Sequence, residues 1–257
     1  MLSNHDHISS LEYSYRSTLT NIVVANLLFS VVFILVQEPA AYGLFPEFYR
    51  SQSPWLGKVQ VMQAVPLTLA TGIFHVIIAI NRVRALTHPL GHTKVFSQIC
   101  VRRIIISVWA VTILECVPLI YPFKCSYYKF VSPIRTEGIG LVVLGVLPNL
   151  IYQGIAMGVG GLLEVIAISL YLFIGLRINK LKKLPKSVTS ATVSAVLIST
   201  GGFAIVLVVL PDILAARIFG KAIWSDEMFY GLFKLANAYN NAVTPWVMFT
   251  YYKNVRN

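Results

Sequence analysis

Charged side chains are scarce in this 257-residue sequence, at 12% against roughly 25% in an ordinary soluble domain. That scarcity argues against a water-soluble fold. Cysteine is scarce as well: Cys100, Cys116 and Cys125 are too few and too scattered for a disulfide framework or a thiolate metal site. The first residues, MLSNHDHISSLEYSYR, lack the basic start, short apolar core and small-residue cleavage site of a secretory leader. No fixed-period repeat, low-complexity tract or lipidation motif is found along the chain. Walker loops, nucleophile elbows and Asp-rich metal motifs are missing too, so neither an enzyme nor a cofactor is expected.

Acidic residues are fewer than basic ones, ten against 21, giving a net charge of +11 and a pI near 9.7. Such an excess can signal nucleic-acid binding, but here the basic residues fall in the gaps between apolar runs. They read as topology signals and as attraction to membrane lipids, with no nucleic acid as partner.

Hydrophobic residues make up 56% of the chain, with a mean hydropathy of +0.71. Apolar runs lie near residues 18–37, 59–80, 104–122, 154–176, 191–213 and 230–251. Each is close to the ~20 residues a helix needs to cross the hydrocarbon core. Runs such as IVVANLLFSVVFILV do not alternate in polarity, which excludes a membrane barrel. The expected fold is therefore all-α, a polytopic membrane helical bundle forming one transmembrane domain over residues 1–257. The stretch 138–153, GIGLVVLGVLPNLIYQ, is apolar but short and carries Pro148, so it reads as a loop at the membrane interface.

Lys and Arg number thirteen in segments 1–17, 81–103, 177–190 and 252–257, against seven in 38–58, 123–153 and 214–229. The positive-inside rule then places both termini in the cytoplasm.

Within the spans, polar residues fall in stripes. Gln60, Gln63, Thr71, His75 and Arg82 lie close to one face of the second run at 3.6 residues per turn. Gln60 and Gln63, at its outer end, are candidate ligand contacts or interhelical hydrogen bonds. Tyr230, Phe233, Asn237, Asn241 and Thr244 form a similar stripe in the last run, ending at Pro245, whose missing N–H frees a backbone carbonyl. Glu115 and Glu164 lie inside spans, where an ionised side chain costs roughly 2.5 kcal/mol or more. Each needs a proton or a partner, and Lys234 and His75 are the conceivable partners. Gly154 and Gly158, followed by Gly160 and Gly161, permit close helix approach. His88 and His92 make a lone HxxxH box, too little for a membrane di-iron centre.

Ile80-Asn81-Arg82 followed by VRALTHPLGH, with Pro89 seven residues after the arginine, resembles the cytoplasmic end of the third helix of seven-helix G-protein-coupled receptors. Other positions agree in order and depth. Asn26 stands where such receptors carry a polar second-helix residue, and Trp109 resembles the fourth-helix tryptophan. Thr244-Pro245-Trp246 resembles a degraded Asn-Pro motif of the seventh helix, and Pro211 is a rough counterpart of the sixth-helix proline. In this register the six spans correspond to helices two to seven, and the chain looks like a serpentine receptor lacking its first helix.

Short loops and Asn-Arg in place of Asp-Arg look most like the nematode-type chemoreceptors of the Srg superfamily, such as Srg or Srv. The resemblance implies a small-molecule or peptide ligand held within the bundle and a heterotrimeric G protein at the cytoplasmic face. Gln60, Gln63, Glu115, Glu164, Phe233 and Asn237 are the expected ligand contacts. Asn81, Arg82, Pro89, Asn26, Thr244 and Pro245 are the expected switch and coupling residues. The family's usual disulfide cannot form with Cys125, because no cysteine lies near the outer end of span 59–80. A small transporter carrying ions or protons on Glu115 and Glu164 is the competing reading, although no paired broken helices support it.

Overall fold

A computed structural model describes residues 4–120, 124–130, 138–144, 146–180, 186–221 and 223–256. Six long helices dominate them: α1 (Asn4–Val32), α4 (Ser53–Thr87), α6 (Gln98–Ile120), α7 (Val146–Lys180), α8 (Lys186–Ile218) and α9 (Asp226–Arg256). Each contains most or all of one apolar run. Short helices α2 (Glu38–Ala41), α3 (Pro46–Ser51) and α5 (Pro89–Val95) fill the connections. The molecule is a helical bundle of the membrane-spanning kind.

In lipid every polar group has to be satisfied within the protein, and the helices do this largely by themselves. Thr18, Thr20, Thr112 and Ser169 each return their hydroxyl proton to a carbonyl four residues back, at 2.7–2.9 Å. Large apolar side chains such as Leu27, Ile34, Ile106, Leu162, Leu172 and Phe249 are more than half exposed. On a soluble protein so much exposed hydrocarbon would drive aggregation; on this one it is the lipid-facing surface. Among the described residues, the stretches Tyr13–Ala41, Val65–Thr87 and Gly158–Arg177 are long and apolar enough to cross a membrane.

α1 runs without a break into a π-helical turn, Phe33–Gln37, and then α2. Pro39 explains part of this irregularity: without an N–H it cannot bond the carbonyl of Leu35. The Tyr49 hydroxyl, arriving from α3, donates to that carbonyl at 3.0 Å. Between α2 and α3 the chain reverses through Gly43 and Phe45, both at positive φ (65° and 50°).

The stretch read as an interfacial loop has a different structure. Lys124–Phe130 (β1) and Gly138–Leu144 (β2) pair antiparallel, from Lys124 opposite Leu144 to Phe130 opposite Gly138, and the hairpin lies against α4 and α2. β2 is rich in β-branched residues and β1 in aromatics, both strand-favouring. α7 then begins at Val146, with Pro148 in its first turn, where a missing N–H costs nothing.

The apolar core is concentrated at the end of the bundle that holds Arg82. Tyr15, Leu19 and Ile22 of α1 meet Phe74 and Ile78 of α4, Tyr171 and Ile174 of α7, Ile198 of α8 and Val247 of α9. All of these are nearly or completely buried.

Candidate functional site

Two polar constellations lie in the bundle, one at each end of the core. The first is at the basic end. Asn81 donates from its amide to Ser14 Oγ at 2.9 Å and accepts at Oδ1 from His92 Nε2, joining α1, α4 and α5. His92 is completely buried and stacks on Phe96. The neighbouring Arg82 is 2% exposed, and its guanidinium lies 4.4 Å from the Tyr15 ring centroid. A desolvated cation on an aromatic face is worth roughly 2 kcal/mol, so Arg82 is held inward instead of reaching for water. The HxxxH box thus separates into unlike halves: exposed His88 bonds Thr87, while His92 belongs to the asparagine cluster.

The second constellation surrounds a cavity of about 110 Å³. α1 contributes Asn26 and Phe29; α4 contributes Val65, Thr68 and Thr71; α7 contributes Gly160, Gly161 and Glu164; α8 contributes Val206 and Val209; α9 contributes Phe233, Asn237 and Asn240. Space for this arrangement comes from missing side chains. A Cβ on Gly202 would overlap the Glu164 carboxylate, and one on Gly201 would stand 2.8 Å from Asn240 Cα, so these glycines let α8 approach α7 and α9. Gly160 and Gly161 are less constrained: a Cβ there would meet Leu69 and Val206 at ordinary contact distances of 3.7 and 3.6 Å, and Gly158 faces open space.

Glu164 Oε1 lies 2.7 Å from His75 Nδ1, and the two side chains are 6% and 1% exposed. Of the two conceivable partners, His75 is therefore the one that meets Glu164. Lys234 instead pairs with Glu38 at 2.7 Å, 4.9 Å from the Tyr42 ring centroid, tying α9 to α2.

Contacts between the two ends run through α1 and α9. Asn26 donates to Thr244 Oγ1 at 3.5 Å, and Thr244 is completely buried. Trp109 Nε1 donates to Asn21 Oδ1 at 2.7 Å while its ring lies against Phe74.

The expected ligand contacts do not all converge. Glu164, Phe233, Asn237 and, from the switch group, Asn26 line the cavity. Gln63 does not line it; its amide donates to the Phe29 carbonyl at 3.0 Å and joins α4 to α1. Glu115 sits half-buried on α6 and does not line the cavity either. Pro245 is exposed. Gln60 lies in α4 and Pro89 opens α5, and their side chains lie outside the described residues.

Asn240 is a lining residue that the 3.6-residue stripe passed over in favour of Asn241. Phe233, Asn237, Asn240, Thr244 and Val247 follow the four-three spacing of helices packed at small crossing angles, and that period would have found it. Ser14 and Tyr15 carried no sequence signal at all, since both precede the first apolar run.

The geometry defines a class: a multi-pass helical bundle with a closed polar cluster at its basic end and a partly polar cavity at the other. Residues 6–132, just under half of the chain, match the family model described as "Serpentine type 7TM GPCR chemoreceptor Srx". That stretch runs from α1 into the hairpin and includes Asn26, Asn81, Arg82 and Trp109; Glu164 and α9 fall outside it. The family matched is Srx, in place of the Srg or Srv suggested by the motifs. No curated protein matches the chain.

Proposed function

We propose that this protein is a chemosensory G-protein-coupled receptor of the serpentine type. It takes a small extracellular ligand into the cavity beside Glu164 and signals through the face around Arg82. The observation that carries this reading is the inward-held Arg82, stacked on Tyr15 and adjoining the Asn81–Ser14–His92 cluster, at the opposite end of the core from the cavity. A ligand that fits better when α4, α7 and α9 are rearranged shifts the population toward that arrangement by its difference in affinity. Such a shift loosens the contacts of Asn81 and Arg82 with α1 and α5 and opens a surface for the G protein. Asn26, Thr244 and Pro245 lie on the helices that connect the two ends, and Pro89 begins the loop that would meet the partner.

In this reading the chain is in the plasma membrane with both termini in the cytosol. Tags at Asn257 and beside Lys182 should be reached by antibody only after permeabilisation. In cells expressing the chain at equal surface levels, Arg82→Ala should reduce agonist-dependent G-protein activation at least tenfold while leaving ligand binding intact. Substrate uptake that is lost in Glu164→Gln, with no G-protein activation from any variant, would instead establish a transporter.

A further inference from the structure

Among the described residues, two side chains on the cavity wall carry polar atoms with no hydrogen-bond partner: Glu164 at Oε2 and Asn240 at Oδ1. An ionised carboxylate oxygen and an amide oxygen only accept hydrogen bonds, and the two residues are 5% and 7% exposed. No Lys, Arg or His is among the described residues lining the cavity. An anionic ligand would meet acceptors and a carboxylate, with no cationic side chain among the described lining residues to receive it. A ligand with several N–H donors and a positive charge would satisfy both orphan acceptors.

The carboxylate is also fixed in position. His75 holds Oε1 at 2.7 Å from one side, and α8 comes so close at Gly202 that no side chain fits there. Oε2 is the carboxylate oxygen left without a partner among the described residues. The remaining wall is mostly hydrocarbon, including Phe29, Val65, Val206, Val209 and Phe233, suited to a short alkyl group. At about 110 Å³ the cavity is smaller than the roughly 150 Å³ apolar cavity that accepts benzene.

We propose that the cavity recognises a small primary alkylammonium of roughly five non-hydrogen atoms, with Glu164 as its anionic partner and Asn240 as a second acceptor. This rests on reading the cavity as the receptor's ligand site.

The test uses the full chain purified into lipid nanodiscs and compares isobutylamine, isobutanol and propionate by their effect on the melting temperature, since a ligand that binds only the folded state raises it. Isobutylamine should give a saturable rise, with isobutanol and propionate at least tenfold weaker. Glu164→Gln should weaken the amine by about 10–100-fold, the range for losing a hydrogen bond to a charged group. Val206→Phe, which narrows the cavity and keeps both acceptors, should weaken it too and serves if the glutamine variant does not fold.

Equal stabilisation by the alcohol or the acid, no stabilisation by the amine, or an amine effect that survives Glu164→Gln would overturn the assignment. A G-protein activation assay in cells separates the two claims. Amine binding without activation would refute the receptor reading and leave the amine site standing. Activation by a neutral volatile, without amine binding, would refute the amine site alone.

Discussion

The half of the bundle around Arg82 and the half around Glu164 are built from the same helices, yet one is filled and the other hollow. At the Arg82 end large side chains meet from several helices: Tyr15, Phe74, Ile78, Tyr171, Ile174 and Ile198 are all essentially buried. Toward Glu164 small residues take their place on the facing helices: Gly160 and Gly161 line the space without filling it, and Gly201 and Gly202 bring α8 close to α9 and α7. The space they leave is not simply closed, because Glu164, Asn237 and Asn240 stand on its wall. Close approach at the glycines and polar projection between them together produce a cavity. In the proposed reading the hollow half takes the guest, and the filled half carries the Asn81 and Arg82 contacts that loosen in response.

The largest test of this difference is His75→Ala, at the boundary between the halves. It strands the buried Glu164 carboxylate and should cost about 3 kcal/mol, by the penalty for breaking a buried polar pair. The loss should appear as a lower melting temperature in nanodiscs, and an unchanged value would show that the pair does not hold the cavity wall.

Size changes should act with opposite sign in the two halves. Ala195→Val, in the filled half, should destabilise by about 2 kcal/mol through overpacking. Val206→Leu, on the cavity wall, should stabilise by about 1 kcal/mol through filling space. The same thermal assay measures both, and equal signs would erase the distinction.

The smallest destabilisation is expected beyond the spans, at Tyr49. Tyr49→Phe removes the hydrogen bond to the Leu35 carbonyl and should cost about 1 kcal/mol. Burial raises the pKa of the Tyr49 hydroxyl above its ordinary value of 10.0, so the folded state holds this proton more tightly than the unfolded state does. Its contribution is complete below the unfolded value and fades as pH rises through the folded one. Thermal scans from pH 8 upward should show the difference between the native chain and Tyr49→Phe shrinking only above about pH 10.

The six long helices were legible from apolar runs alone, and so was the inward stripe Gln63, Thr71, His75 and Arg82, since all four are buried. Partners were less legible. His75 and Lys234 were both open to Glu164 on the sequence, and choosing between them required knowing that α4 faces α7 while Lys234 reaches back to Glu38 in α2. Gln63 was open to a ligand contact or an interhelical hydrogen bond on the sequence, and its amide makes the second, to the Phe29 carbonyl. The hairpin was missed because an apolar run with one proline looks the same whether it stays a loop or pairs with the aromatic strand just before it.

Composition and periodicity by themselves determined the membrane bundle, the approximate position of each long helix and the inward polar stripe of α4. Those outcomes depend on local hydrophobicity and on a helix's own repeat, both written in consecutive residues. Tertiary structure alone decided that Glu164 meets His75, that Asn81 is shared by Ser14 and His92, that Arg82 rests on Tyr15, and that the glycines of α7 and α8 leave a cavity. Each depends on which helix lies beside which, and on distances of a few ångströms between residues up to about 90 positions apart.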